Sequence, residues 1–162
     1  MNNFAIIDRM IRGSDLQPLL ASNMKMVLKW RSEAEKAYRQ SWSEIGMLLM
    51  DVQYTSRARP TSGSAGAMDS STVLKSMGSK EKDAVKQKVS NFNASFEVLV
   101  SEHKRLNMQR EVRESLSKDV QAIIEPMYCR WWDRYHEIDK GKGKYVKYNK
   151  SEISGVFITM AK

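Results

Sequence analysis

NMKMVLKWRSEAEKAYRQSWSEIGMLLMDV, residues 23–52, decides the fold. Val27, Trp30, Ala34, Tyr38, Trp42, Ile45, Leu49 and Val52 follow one another at steps of three or four, which places them on one face of a helix. Lys25, Lys29, Arg31, Glu33, Glu35, Lys36 and Arg39 take the opposite face, and Glu35 stands four residues before Arg39, the spacing of a surface ion pair. A stripe of this length needs partner helices to cover it. Trp30 and Trp42 are therefore read as core anchors, each contributing on the order of 2–3 kcal/mol when buried.

The same period recurs on both sides. Upstream, Phe4, Ile7, Met10 and Ile11 predict a helix stopped by Gly13, and Ser14, Asp15 and Pro18 predict a turn-like link in which the apolar Leu16, Leu19 and Leu20 form a short helical turn. Downstream, residues from Tyr54 to Met77 turn to Ser, Gly, Ala and Thr with no hydrophobic period, which predicts a flexible loop at about 54–78. Ser79 and Glu81 then signal a helix start, followed by the stripe Val85, Val89, Phe92, Phe96, Leu99, Val100, His103 and Leu106. After a polar break at residues 107–110, Val112, Leu116, Val120, Ile123, Met127, Trp131, Tyr135 and Ile138 mark another long helix, in which Pro126 is expected to make a kink without dividing it. Asn149 and Glu152 have capping-box spacing ahead of Ile153, Val156, Phe157 and Met160. The expectation is an all-α antiparallel helical bundle, one helical domain over residues 1–162.

Composition narrows the chemistry. A chain of 162 residues has the size of one ordinary domain. The single cysteine, Cys129, excludes an intrachain disulfide and fits a reducing compartment. No apolar run reaches the length needed to span a bilayer. There is no phosphate-binding glycine loop, Cys-x-x-Cys, His-Glu-x-x-His or nucleophile elbow. His103 lies on an apolar stripe and reads as a packing residue, and His136 near Asp133 as a surface neighbour. No enzyme, cofactor or metal site is expected.

Charge supplies the one chemical feature. The net charge is +8, and residues 140–162 hold six lysines against Glu152, so most of the excess sits near the end. KGKGKYVKYNK, residues 140–150, contains Lys140, Lys142, Lys144, Lys147 and Lys150, two tyrosines, two glycines and no acid. A flexible, solvated basic loop at 139–150, clamped at its ends by the flanking helices, is expected. Lysine is a point charge suited to phosphate without base readout, and contributes about 1 kcal/mol each beside an anionic membrane, so five give weak binding alone. Two other readings stand beside this one. The aromatic cluster Tyr128, Trp131, Trp132 and Tyr135 could be an exposed surface that docks another protein, and the same lysines could bind nucleic acid without specificity. Scarce arginine in the loop and the absence of a recognised binding fold disfavour nucleic acid.

The segments NNFAIIDRMIRGSDLQPLL near the start, YRQSWSEIGMLL at Tyr38–Leu49, SNFNASFE at Ser90–Glu97, IIEPMYCRWWDRY at Ile123–Tyr135 and KYVKY at Lys144–Tyr148 occur in an order that resembles the C-terminal part of the exocyst subunit family Exo-seventy, exocyst complex component seven. That resemblance implies the end segment of a rod of stacked helical bundles, in a complex that tethers secretory vesicles to the plasma membrane. It implies a basic surface for phosphatidylinositol bisphosphate, with Lys144 and Lys147 at the two lysine positions of the matching motif. Lys140, Lys142 and Lys150 are added from charge and proximity alone. Other exocyst subunits and Rho-type GTPases are the implied partners, and a cytoplasmic protein peripheral at the plasma membrane is the implied location. Members of the family are far longer, and their leucine-rich ending with a terminal Phe is replaced here by Phe157-Ile158-Thr159-Met160-Ala161-Lys162.

Overall fold

The structure, a computed structural model, describes residues 2–15, 17–50 and 70–162. Its described residues form helices α1 (Asn2–Arg12), α2 (Gln17–Met47), α3 (Ser70–Ser76), α4 (Ser79–Arg105), α5 (Arg110–Tyr135) and α6 (Lys150–Met160), with no strand among them. The protein is an all-α bundle. Most of the expected loop at about 54–78, and Val52 of the long stripe, lie outside the described residues.

Helix ends follow from local chemistry. Glu81 accepts a hydrogen bond from the Gly78 amide at 2.8 Å, closing the first turn of α4. At α6 the capping box is complete: the Glu152 amide donates to Asn149 Oδ1 at 2.8 Å and the Asn149 amide donates to Glu152 Oε2 at 2.7 Å. The link and short helical turn expected around Pro18 form the start of α2, because a proline in the first helical turn gives up an amide that has no partner there anyway. Part of the expected flexible loop is instead α3, where Val73 and Ser70 are buried and the Ser70 hydroxyl accepts from the Glu137 amide at 3.4 Å. Packing overrides a weakly helical sequence here.

The core joins five helices, with Val73 the contribution of α3. Trp42 of α2, Val89, Phe92 and Phe96 of α4, Val120, Ile124 and Tyr128 of α5, and Ile153, Phe157 and Met160 of α6 are essentially inaccessible to solvent. Phe96 is its hub, edge-on to Trp42 at 6.0 Å, to Phe157 at 5.9 Å and to Tyr148 at 5.8 Å, and stacked on Phe92 at 5.3 Å. Gly46 brings α2 close to α5, since a Cβ there would stand 2.6 Å from Met127 Sδ. Two expectations need correction. Trp30 is not a core anchor: it is 46% exposed, because the stripe of α2 enters the core only from Trp42 onward. The aromatic cluster of α5 is not an exposed surface either, since Tyr128, Trp131 and Tyr135 are buried and only Trp132 is partly open. α5 runs unbroken through Pro126.

Candidate functional site

Between α5 and α6 the chain makes a bend built around one carboxylate. Asp139 is 7% exposed, and its Oδ2 accepts from the amides of Tyr145 at 3.0 Å and Val146 at 3.3 Å. Folding the chain back so sharply takes positive φ at three positions, Lys140 (53°), Gly141 (75°) and Gly143 (68°). The segment KYVKY is then fastened from below. Asn93 on α4 donates to the Tyr145 carbonyl at 2.8 Å, the Tyr128 hydroxyl of α5 donates to the Tyr148 carbonyl at 2.8 Å, and the Tyr148 ring packs on Phe96. Tyr145 and Tyr148 are half-buried while Lys144 and Lys147 are exposed. A three-residue repeat within the segment thus turns the tyrosines toward the core and the lysines toward solvent. The loop expected to be flexible is tethered at several points, and it ends at Asn149 because Lys150 is the first residue of α6.

The five sequence-predicted lysines do not share one environment. Lys140, Lys142 and Lys144 are exposed and, among the described residues, pair with no carboxylate. Lys144 lies over the Tyr145 ring at 5.3 Å. Lys147 donates to Glu97 Oε1 at 2.6 Å, and this hydrogen bond, with the charge behind it, holds its pKa above the usual lysine value. Lys150 pairs with Asp133 at 2.5 Å and lies over the Trp132 ring at 5.3 Å. Reading the sequence misses Lys86 of α4, whose Nζ comes within 6.0 Å of the Tyr145 ring centre at the same edge, although it pairs with Asp83 at 3.0 Å. The signal available is indirect: Asn93, a polar residue on an apolar stripe, is the tether, and Lys86 stands seven residues before it on the same face.

Lys140, Lys142 and Lys144 stand on the crown of the bend and do not line the cleft beneath it. A cleft of about 230 Å³ under the loop is flanked by Trp132, His136 and Lys147, and its walls also carry Asp139 and Glu152, whose carboxylates repel phosphate. His103 is fully buried, with Nε2 donating to the Met160 carbonyl at 3.1 Å and Nδ1 accepting from the Tyr38 hydroxyl, and burial pushes its pKa down. Burial pushes the Cys129 thiol up, away from thiolate chemistry. No group of three metal-ligating side chains converges among the described residues, and no described helix is long and apolar enough to cross a membrane.

The chain has relatives among known proteins. The family model for the C-terminal region of the Exo70 exocyst complex subunit matches residues 1–157. The chain is 44% identical over 161 residues to the exocyst complex protein EXO70 of Gibberella zeae, covering 99% of this chain and 25% of that one. It is 46% identical over 157 residues to the corresponding protein of Neurospora crassa, covering 96% of this chain and 24% of that one. A solved structure of S. cerevisiae Exo70 aligns with a TM-score of 0.67 over 99% of this chain and 26% of its own length; at 22% identity that likeness is one of fold. The chain spans about a quarter of the length of the curated relatives it matches.

Proposed function

The chain belongs to the family defined by the C-terminal region of the exocyst protein Exo70, and from that premise we propose that it is a membrane-contacting segment of a vesicle-tethering subunit in exocytosis. Its partners on this reading are the other exocyst subunits and an anionic membrane carrying phosphatidylinositol bisphosphate. Lys144, Lys147, Lys140, Lys142 and Lys150 form the contact surface, with Lys86 at its edge. The observation that carries the reading is the crown of three exposed lysines with no carboxylate partner among the described residues, held on a bend tied to the core. A fixed bend presents its charges together, so little ordering is needed when they meet a flat anionic surface. Each lysine adds about 1 kcal/mol, so the site works best where an assembly presents several such surfaces at once.

Cosedimentation with liposomes tests it. The chain is expected to sediment with vesicles containing phosphatidylinositol bisphosphate, less so as salt rises, and Lys144→Ala with Lys147→Ala is expected to weaken binding about tenfold or more. Undiminished binding by that double variant would remove the site. Docking of another protein through Tyr128, Trp131 and Tyr135 has no surface to use, because those rings are core.

A further inference from the structure

Lys147 lies on the basic surface, yet its ammonium already has an anionic partner. The carboxylate comes from another element, Glu97 on α4, fifty positions away in the chain. Core contacts enforce the meeting: Phe96, the neighbour of Glu97, is fully buried and holds the Tyr148 ring, which delivers Lys147 onto Glu97. Glu97 also raises the Tyr148 pKa, after the larger effect of burial, so this carboxylate faces both residues. The Lys147–Glu97 pair remains about half exposed, at 41% and 47%. Ion pairs open to water to that degree are weak, of the same order as the attraction of one lysine to an anionic bilayer. Either partner can therefore win.

Resting on the membrane-contact reading above, we propose that Glu97 is an internal competitor for the lipid phosphate, a carboxylate latch that occupies Lys147 until a phosphorylated membrane surface displaces it. Lys140, Lys142 and Lys144 have no such partner among the described residues and meet the surface first. Lys147 joins only where phosphate density is high enough to displace Glu97, which sharpens the response to highly charged headgroups. The latch acts through charge, so Glu97→Gln keeps the side-chain shape and releases Lys147.

The test uses the full chain and vesicles of phosphatidylcholine with or without phosphatidylinositol bisphosphate. Glu97→Gln is expected to bind the phosphoinositide vesicles about three- to fivefold more tightly than wild type, with no gain on phosphatidylcholine alone. In a Lys147→Ala background, Glu97→Gln is expected to lose most of that gain. Wild-type binding with no gain in Glu97→Gln, or a gain that survives intact in Lys147→Ala, overturns the latch and leaves the membrane reading standing. Absence of binding by both wild type and Glu97→Gln overturns the membrane reading, and the latch with it.

Discussion

His103 ties three helices together through one ring, since it sits on α4, accepts from Tyr38 of α2 and donates to the last turn of α6. The site fits a neutral imidazole. A second proton on Nδ1 would force the Tyr38 hydroxyl to turn its hydrogen away and accept, and would place a charge where burial disfavours one, as it does at that hydroxyl, whose pKa is pushed up to about 12. Burial first, then the charges of Arg113 and Lys104, lower the His103 pKa below its ordinary value of 6.5. The unfolded chain therefore takes up a proton near that ordinary value while the folded chain resists it. Stability from this site is present above pH 6.5 and is lost as the pH falls through the folded value. Urea denaturation is expected to show a lower midpoint at about pH 5 than at about pH 7.5, with a smaller pH difference in His103→Gln. At the higher pH that variant loses about 1–3 kcal/mol by leaving buried polar groups unpaired. An identical pH slope in the variant would contradict the assignment.

The bend between α5 and α6 is an element made by its tethers, and Asp139 is the first of them. Asp139→Ala is expected to cost about 1–3 kcal/mol and to speed hydrogen exchange at the Tyr145 and Val146 amides, which lose their acceptor. Exchange unchanged at those two amides would show that the glycines alone shape the bend. What is legible in the sequence here is local. Asn149 and Glu152 announce the α6 cap because the two partners lie three residues apart, and the lysines announce themselves by composition. Long-range pairing is not legible, since nothing in KYVKY says that Lys147 meets Glu97 or that Asn93 holds Tyr145. Periodicity also cannot say where a stripe stops being covered, which is why the pattern alone puts Trp30 in the core. The buried side of α3 escapes for the opposite reason, because Ser and Thr hide a helix that only packing against α5 stabilises.

At the scale of the molecule, the described helices hold a cationic crown at one bend, while the other charged face of the bundle is balanced by pairs such as Arg31 with Glu35 and Arg39 with Asp119. On the proposed reading, the position of the lysines on this bend, and not the net charge of +8, brings the chain to an anionic membrane. The chain belongs to the Exo70 C-terminal family, and the vesicle-tethering role proposed for it includes contacts made by the rest of a longer protein, since the chain spans about a quarter of its relatives' length. Two triple variants separate position from charge. Lys140→Ala, Lys142→Ala and Lys144→Ala together empty the crown, whereas Lys25→Ala, Lys29→Ala and Lys36→Ala remove the same charge from exposed positions on α2. The measurement is the affinity of each for vesicles containing phosphatidylinositol bisphosphate at physiological salt. The crown variant is expected to lose about 3 kcal/mol, a factor of about a hundred, while the α2 variant stays within about twofold of wild type. Equal losses in the two variants would contradict it.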